Sequence, residues 1–575
     1  MSALFALTAG DSNERDSDGA ALDRSLRRQG FVTAERFDWN GGSLHWYRNP
    51  AAGAASQACY RAERGGFAIC VGTVVYRGQV GEAALRDLWH DFETPESVQT
   101  SELLGSYQLA IGKAGQVWLF ADAVGMVKLY HARVRQVLCT SWLACVEATD
   151  SPRIDRFGAL EYILEGANHG DRTPVNGVGI CDPALAIELT SGRTRTLWPV
   201  DRWIERAPLP SIEAASRTCS ELLVDRMTRI SRAFDGNTRC ALSGGFDSRL
   251  IVAALVAAGS RPSLFVYGRP DDSDVRISGL ASAAIDLPIE VIDKSVLREQ
   301  FPPLAREGLL TSLDFFDGLP VDGIFDSGVD RSTRIAQSAG GAAVLNGGGG
   351  EIFRNFFYLP DRPMTAAEVV QGFYSGYLPQ VFRSAAEHRD YQERMAASIE
   401  AVVGSGRLDR AQVELIYPLF RNRFWAGRNN SIAARVGSFL TPLLDKDLIR
   451  ICTGLPLSWK NYGRLQSKLI AGLDQPLAAV PLSYGFTPAR GPSPLYQAKM
   501  FVEQHRPPWL RQRAAQLKHR LGISKPAPRD PSIASLVDEG LVRPLLNCDM
   551  IVDGTQWLRA MTIAALIQYR DIRLQ

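Results

Sequence analysis

The chain has 575 residues, more than a single hydrophobic core usually serves, so two or more domains are expected. Hydrophobic residues make up 46% of the sequence and charged residues 22%, which is an ordinary composition for a soluble globular protein. The formal net charge of +2 gives no support to nucleic-acid binding, and no apolar stretch is long enough to span a membrane.

The first residues and the cysteines favour a cytoplasmic protein. Residues 1–6 are briefly apolar but lack the basic region and the long apolar core of a signal peptide. The nine cysteines are scattered and contain no C-x-x-C pair. Isolated thiols in a reducing compartment are therefore expected, rather than disulfides or a zinc site.

Residues 1 to about 200 are predicted to form a first domain of short strands broken by glycine-rich turns. Two such strands are Phe67–Val71 and Gln116–Phe120, each of which directly follows glycine. Around Trp198-Pro199 the pattern changes, and from Ser211 onward apolar residues recur at helical spacing. We therefore expect one domain over 1–200 and a second over 201–575.

The second domain is predicted to contain a parallel sheet. From about residue 238 the pattern alternates between strand, loop and helix, with strands at Cys240–Leu242, Leu264–Tyr267 and Ala342–Leu345 and a helix at Leu250–Ala258. Such alternation indicates a parallel sheet with helices on both faces. Ligands of these sheets bind at the carboxyl ends of the strands, where both glycine-rich segments of this domain lie.

The strongest motif directly follows the first of these strands and opens the helix. It reads Leu242-Ser243-Gly244-Gly245-Phe246-Asp247-Ser248-Arg249. Backbone amides of a glycine-rich turn at a helix N-terminus converge on one point and favour an anion there. Two glycines let the chain approach phosphates closely, and an aspartate beside a polyphosphate suits magnesium binding. No G-K-[ST] follows, which excludes a Walker A loop.

This motif resembles the S-G-G-x-D-S pyrophosphate loop of the ATP pyrophosphatase superfamily, whose members cleave ATP to AMP and pyrophosphate. Further segments resemble the asparagine synthetase B-like family: Leu264–Tyr267 with Asp274, Leu345–Phe353, Thr441–Asp445 with Leu455-Pro456, and Lys468–Ile470. In the first domain, the segments similar to that family's glutaminase-like domain are Leu104–Ala110, Asp122–Gly125 and Leu129-Tyr130.

The resemblance implies a fold, cofactors and a site. The expected fold is an α+β glutaminase-like (Ntn-type) sandwich followed by an α/β ATP-pyrophosphatase domain with a parallel sheet. ATP and Mg²⁺ are the implied cofactors. Asp247 and Glu351 are the implied metal ligands, although a one-residue gap would match Glu351 to the next acidic position of the family motif. Together with Lys468, which would stabilise developing negative charge, they are the implied catalytic residues. The residues implied to contact the nucleotide are Leu242, Ser243, Gly244, Gly245, Asp247, Ser248, Val266, Tyr267 and Gly347.

Two departures from the family pattern bear on the reaction. The glutaminase nucleophile of the family is an N-terminal cysteine, but position 2 is Ser2, and the glutamine-binding segment N-G-E appears as Val71-Gly72-Thr73. Glutamine hydrolysis is therefore not expected, and the amine is expected to belong to the substrate itself. Gly348 stands where β-lactam synthetase-like relatives have a tyrosine that helps deprotonate the amine. No general base can be named, and the four glycines suggest room for a bulky substrate.

Among relatives without a glutaminase, lasso-peptide cyclases are the most similar in length, absent nucleophile and glycine-rich motifs. The resemblance implies that an Asp or Glu side chain of a core peptide is adenylated, and that the peptide's N-terminal amine then closes a macrolactam. A precursor peptide and a leader peptidase are the implied partners, without nucleic acid. Two alternatives stay open: another amide synthetase of this branch (β-lactam synthetase-like or ammonia-using), and a degenerate synthetase that only binds peptides.

Overall fold

The computed structural model describes residues 2–8, 12–132, 136–205, 207, 209–511, 513, 517, 521 and 525–574. Its strands are, in chain order, β1 (Ala3–Leu7), β2 (Val32–Trp39), β3 (Gly42–Arg48), β4 (Cys59–Arg61), β5 (Phe67–Tyr76), β6 (Leu103–Lys113), β7 (Gln116–Ala121), β8 (Tyr130–Ala132), β9 (Val137–Cys139), β10 (Val178–Ile180), β11 (Leu185–Glu188), β12 (Thr194–Thr196), β13 (Thr238–Ala241), β14 (Ser263–Tyr267), β15 (Ile289–Ile292), β16 (Ala343–Leu345), β17 (Met364–Thr365), β18 (Arg407–Leu408) and β19 (Ser438–Leu440). The α-helices in these residues are Ser12–Arg28, Gly81–Asp91, Trp142–Glu147, Arg156–Glu165, Ile212–Ala233, Phe246–Ala257, Ser273–Ala284, Lys294–Glu299, Arg306–Phe315, Val329–Gln337, Ala366–Phe373, Ala385–Val403, Arg410–Ile416, Gly427–Ala433, Lys446–Thr453, Leu457–Lys460, Arg464–Leu473, Gln475–Ala479, Pro494–His505, Pro531–Ala534 and Gly554–Tyr569. A 3-10 turn at Gly350–Phe353 and a π-helix at Tyr417–Ala426 also bear on the site.

Two six-stranded antiparallel sheets form a sandwich in the first part of the chain. Their strand orders are β10-β8-β9-β1-β3-β2 and β12-β11-β7-β6-β5-β4. Side chains alternate along each strand, so Leu4 and Ala6 of β1 meet Ile69 of β5 in a core between the sheets. Helix Ser12–Arg28 covers the outer face of the first sheet, and helix Gly81–Asp91 covers that of the second. The predicted strands of this part lie within β5 and β7 and are confirmed.

A five-stranded parallel sheet, of order β15-β14-β13-β16-β19, forms the second part. Strands β13, β14 and β16 lie where the sequence predicts strands, so the parallel sheet is confirmed. The chain runs from β13 to β14 on one side, while β16 flanks β13 on the other side. The topological switch point therefore lies between β13 and β16, and the two glycine-rich segments are the loops that follow these strands.

A buried ionic cluster around Asp317 joins the two parts. The Asp317 side chain is 1% exposed, and its carboxylate accepts hydrogen bonds from the backbone amides of Trp142 and Leu143 at 2.9 and 3.0 Å. It also pairs with Arg428 at 2.9 Å and with Arg435 at 3.1 Å. Burial raises the pKa of Asp317, but the two arginines outweigh burial and hold that pKa below its usual range.

The end of the second sheet, the state of the cysteines and the character of the helices each bear on a prediction made from the sequence. The second antiparallel sheet ends with β12 at Thr196, and the next long helix begins at Ile212 after its N-cap Ser211. All nine cysteines are described and are free thiols; Cys59 is partly exposed and the others are buried. Within the described ranges, no helix combines the length and the apolar character that a membrane crossing requires.

We expect Asp317→Ala to lower the free energy of unfolding by roughly 3–5 kcal/mol, because it leaves two buried arginines without their carboxylate. Equilibrium urea denaturation followed by circular dichroism measures the change. Asp286→Ala is the control, since Asp286 is a fully exposed partner of Arg261 and should contribute little. Equal losses in the two variants would contradict a structural role for Asp317.

Candidate active site

The loop after β13 closes on itself through two serine hydroxyls. The amide of Ser243 donates to the hydroxyl of Ser248 at 2.9 Å, and the two hydroxyl oxygens lie 2.9 Å apart. Leu242 continues the strand pairing, because its amide donates to the carbonyl of Phe265 at 2.9 Å. The turn therefore leads directly from the sheet into helix Phe246–Ala257.

The N-terminus of this helix suits an anion. Its N-cap residue is Gly245, which has no side chain that could cap the amides of the first turn. These amides and the helix dipole favour negative charge at this point. Gly244 faces Asp274, because a Cβ at Gly244 would lie 2.6 Å from Oδ1 of that exposed side chain, which would have to move aside. The glycines and serines of the predicted phosphate loop thus lie together at the carboxyl edge of the sheet.

Arg249 supports the loop from behind. Its guanidinium is fully buried and donates to the carbonyls of Val480 at 2.6 Å and Pro481 at 2.9 Å. The amide of Ser483, in the same segment, donates to the carbonyl of Gly244 at 2.9 Å. Burial lowers the pKa of Arg249 to about 10. The arginine of the motif is therefore a positioning residue whose donors bind protein carbonyls.

The loop after β16 packs directly on the first loop, and its glycines permit the contact. A Cβ at Gly347 would lie 2.6 Å from the amide nitrogen of Ser248. A Cβ at Gly350 would lie 2.1 Å from Oδ1 of Asp247. These distances are shorter than any real Cβ contact, so larger residues would push the loops apart. The expectation that the glycines leave room for a bulky substrate is therefore wrong for these two positions.

The middle of the glycine run is also constrained. Gly349 has a φ of +92°, in the left-handed region, and a Cβ there would lie 2.5 Å from Cγ of Leu444. The amide of Gly348 donates to Oδ1 of Asn346 at 2.9 Å, and a Cβ at Gly348 would lie 2.8 Å from the same oxygen. A tyrosine at position 348 would have to displace Asn346.

Asp247 and Glu351 meet at a single nitrogen of Arg354. Nη2 of Arg354 lies 2.9 Å from Oδ2 of Asp247 and 2.9 Å from Oε1 of Glu351. The other two carboxylate oxygens have their own donors. Nε2 of Gln466 donates to Oδ1 of Asp247 at 2.6 Å, and the hydroxyl of Tyr417 donates to Oε2 of Glu351. The side chains of Asp247, Glu351 and Arg354 remain 20%, 19% and 17% exposed, so solvent reaches the cluster.

Burial and charge act against each other in this cluster. Burial raises the pKa of Asp247 to about 6, a shift that Arg354 opposes and Glu351 increases. Burial lowers the pKa of Arg354, but Asp247 and Glu351 outweigh burial and raise it well above its usual value. Burial and Glu351 raise the pKa of Tyr417 well above its usual value. Arg354 therefore stays charged and Tyr417 stays protonated, so one guanidinium serves two carboxyl groups.

Lys468 does not face this cluster, which corrects the prediction for that residue. It follows Gln466 by two positions in helix Arg464–Leu473, and two positions rotate a helical side chain by about 200°. Gln466 is fully buried at the cluster, whereas Lys468 is 45% exposed and its Nζ pairs with Oε1 of Glu213 at 3.0 Å. Lys468 and Glu213 line a separate groove of about 850 Å³. A neutral amide therefore lies where the prediction puts a cation.

Two of the residues implied to contact the nucleotide lie at the end of the neighbouring strand. Val266 and Tyr267 end β14, which pairs with β13. Val266 is buried, and Tyr267 is 38% exposed. The hydroxyl of Tyr267 accepts from Nε2 of Gln337, and the ammonium of Lys294 lies 4.7 Å from its ring centroid. The structure thus brings these residues to the same sheet edge as the two glycine-rich loops.

In the first part of the chain, the position of the family nucleophile is engaged in the fold. Ser2 is fully buried, and its hydroxyl donates to the carbonyl of Cys70 at 2.8 Å. Residues 71–73 lie in β5 and pair with β6. The segment that departs from the glutamine-binding pattern therefore serves strand pairing.

The residues present fit a magnesium ion that binds together with a nucleotide. No group of three or more His, Cys, Asp or Glu side chains in the described residues could hold a metal ion. Mg²⁺ in nucleotide sites needs fewer protein ligands, because one or two carboxylates and the substrate phosphates bind it. Asp247 and Glu351 already share a cation, the guanidinium of Arg354, so they converge as such a site requires.

No protein-family model matches the sequence, and no curated protein matches it. Among solved structures, the chain is similar to the glutamine phosphoribosylpyrophosphate (PRPP) amidotransferase from B. subtilis complexed with ADP and GMP. The TM-score is 0.24 at 12% sequence identity, and the match covers 64% of this chain and 83% of that chain. So low a TM-score supports no inference about function.

Sequence patterns miss three side chains of the cluster: Gln466, Arg354 and Tyr417. Helical spacing could have identified Gln466 as an inward-facing residue, because the apolar Ile470 and Leu473 lie four and seven positions after it in the helix. Lys468 falls outside that apolar stripe. Arg354 follows Glu351 by three positions, which suggests proximity without a role. Tyr417 carries no local signal, because it is 66 residues from its partner in the sequence.

We expect Gln466→Leu to weaken MgATP binding roughly tenfold, because it leaves Asp247 without the buried donor that orients it. Lys468→Gln should leave the affinity within about twofold of the original, since an exposed ion pair contributes little. Isothermal titration calorimetry measures both dissociation constants. A larger loss in Lys468→Gln than in Gln466→Leu would restore the sequence-based assignment.

Proposed function

We propose that this chain is an ATP-dependent amide ligase that activates a carboxylate as an acyl-adenylate, and that it acts on a peptide as a lasso-peptide cyclase. One observation carries the proposal: two glycine-rich loops bring Asp247 and Glu351 onto one cation beside an uncapped helix N-terminus. A nucleotide polyphosphate with its divalent cation requires an anion site and a carboxylate pair side by side.

In this proposal the loops divide the nucleotide between them. The first-turn amides of helix Phe246–Ala257 and the hydroxyls of Ser243 and Ser248 bind the β- and γ-phosphates. Asp247 and Glu351 hold Mg²⁺, which when bound would supply charge neutralisation at the phosphates. The end of β14 borders the adenine, and Gly347 lets the second loop lie against the first.

The proposed reaction joins two groups of one peptide. The carboxylate oxygen of an Asp or Glu side chain displaces pyrophosphate from the α-phosphorus, and the N-terminal amine then displaces AMP. The macrolactam closes as the amide bond forms. The protein's main contribution to this second step is proximity, since it must hold the amine against the acyl-adenylate.

The burial of Ser2 supports the proposal that the substrate itself supplies the amine. Its hydroxyl is engaged with the carbonyl of Cys70, and residues 71–73 are part of a strand. Neither feature suits glutamine hydrolysis, which would generate ammonia. An intramolecular amine requires no second active site.

An exposed apolar helix supports a peptide as the substrate. In helix Pro494–His505, Leu495, Phe501 and Val502 are 82%, 53% and 62% exposed, whereas Gln504 is 6% exposed. Three large apolar side chains of this helix therefore face outward, whereas an ordinary surface helix turns such side chains toward the core. Exposed apolar surface of this kind is typical of binding sites for peptides and proteins.

This helix is linked to the cluster by aromatic side chains. On its inner side, the ring of Tyr496 lies 5.8 Å from that of Tyr484. The hydroxyl of Tyr484 in turn accepts from Nη1 of Arg354 at 3.3 Å. A peptide that reached the cluster would have an apolar surface close at hand for its remaining residues.

A peptide-binding scaffold without catalysis is the second candidate. It is favoured by the position of Lys468, which points away from the carboxylate cluster and pairs with Glu213 instead. Consumption of ATP decides between the two candidates, because a scaffold has no use for it.

The proposal predicts that purified protein with MgATP, the leader peptidase and a candidate precursor peptide yields a product lighter than the core peptide by one water. AMP should form rather than ADP. Mass spectrometry and nucleotide chromatography measure the two products, and Asp247→Asn, which preserves size and removes charge, should lose both. AMP without a dehydrated peptide would keep the adenylation and remove the peptide assignment. No consumption of ATP would favour the scaffold.

Val502→Glu should raise the KM for the peptide roughly tenfold, because a charge on the apolar face of the helix opposes burial of that face. The KM for ATP should not change. Steady-state AMP release measures both constants. Val32→Glu is the matched control, since Val32 is 41% exposed on β2 of the sandwich. The same increase in the control would remove the helix from the proposed peptide site.

A further inference from the structure

Arg354 is attached to the same loop as one of the carboxylates it binds. The 3-10 turn Gly350–Phe353 carries Glu351 and ends at Arg354, so the guanidinium is tethered beside the cluster. Its two terminal nitrogens have different partners. Nη2 contacts Asp247 and Glu351, each at 2.9 Å, while Nη1 donates to the hydroxyl of Tyr484 at 3.3 Å.

We propose that Arg354 is the built-in counter-cation of the Asp247–Glu351 pair and competes with the divalent cation for that pair until nucleotide binds. The inference rests on the proposed function in one respect, namely that this pair holds the metal. It goes further because it assigns a role to Arg354, which lies just after the glycine-rich segment Leu345–Phe353.

The competition follows from the positions of four oxygen atoms. Oδ1 of Asp247 and Oε2 of Glu351 accept from Gln466 and Tyr417, which leaves Oδ2 and Oε1 for a shared cation. Nη2 of Arg354 lies 2.9 Å from both of these oxygens. Asp247 and Glu351 would hold a divalent ion most readily through these same two oxygens, since their other oxygens already accept from Gln466 and Tyr417. The ion would compete with the guanidinium for both carboxylates, because two positive charges held by one carboxylate pair would repel each other in a partly buried site.

Nucleotide relieves the competition because it adds anions. Phosphates at the N-terminus of helix Phe246–Ala257 supply negative charge for a second cation, so Arg354 and the metal no longer depend on one carboxylate pair. Metal and nucleotide should therefore bind with positive coupling, each raising the affinity for the other. Arg354 makes the pair a poor site for the metal alone and a good one for the metal–nucleotide complex.

Mn²⁺ binding to the full-length protein tests this inference without any turnover. Electron paramagnetic resonance of unbound Mn²⁺ gives its dissociation constant, at a pH well above the raised pKa of Asp247. Without nucleotide, Arg354→Gln should bind Mn²⁺ at least roughly tenfold more tightly than the unaltered protein. With ATP present, and with the Mn²⁺ bound by ATP alone subtracted from a protein-free titration, that difference should shrink to less than about threefold.

Three further variants control the measurement. Arg354→Lys keeps a competing charge and should bind Mn²⁺ as weakly as the unaltered protein. Arg362→Gln removes an exposed arginine that pairs with Glu368, so it should change nothing. Arg354→Gln combined with Asp247→Asn should lose the gain, which shows that the added affinity belongs to the pair. Circular dichroism verifies that each variant is folded.

Two results would overturn the inference, and they differ in what they leave standing. If Arg354→Gln binds Mn²⁺ no more tightly without nucleotide, while the unaltered protein binds Mn²⁺ with ATP, the competition is refuted and the proposed function remains. If neither protein binds Mn²⁺ with or without ATP, the metal role of Asp247 and Glu351 fails, and the proposed function fails with it.

Discussion

Asp247 lies where two loops touch, and most of the site follows from the closeness of that contact. A Cβ at position 350 would lie only 2.1 Å from Oδ1 of Asp247, so the second loop must have glycine there. The same contact places Glu351, the residue after Gly350, within 2.9 Å of Nη2 of Arg354. Two carboxyl groups this close repel each other unless a cation lies between them. Glycine at position 350 permits the close contact. Arg354, Gln466 and Tyr417 then stabilise the two carboxyl groups that the contact brings together.

The antiparallel sandwich reaches the cluster through one helical segment. The π-helix Tyr417–Ala426 starts with the tyrosine that donates to Glu351. Further along this segment, Nε of Arg423 donates to the carbonyl of Val124, in the sandwich, at 3.0 Å. π-Helices are rare and frequently mark functional sites. The antiparallel sandwich thus contributes to the position of Glu351.

Local patterns predict the strands and loops, because a strand, a glycine turn and a helix N-terminus depend on residues close in sequence. Strands β5, β13 and β14 lie where these patterns put them, and so do both glycine-rich loops. The convergence of Asp247 and Glu351 is also predictable, since parallel strands present their carboxyl ends at one edge. The rest of the cluster is not. Tyr417 arrives from 66 residues away, and the choice between Gln466 and Lys468 depends on helical phase, which a short motif does not specify.

A neutral amide at Gln466 changes where positive charge can come from in the proposed reaction. Nε2 of Gln466 donates to Asp247 at 2.6 Å and to the carbonyl of Gly350 at 2.9 Å, so both of its contacts are with the protein and orient Asp247. Negative charge that develops on phosphate oxygens must be met by preorganised dipoles or cations. In the proposed reaction the helix N-terminus would supply dipoles, a bound divalent ion would supply a cation, and Arg354 would supply a full charge that belongs to the chain. In this proposal Arg354 would reach the phosphates once another cation had replaced it at Asp247 and Glu351. Under the proposed competition, the charge that replaces the expected lysine would be available only with the metal bound, which would couple the chemistry of this site to metal binding.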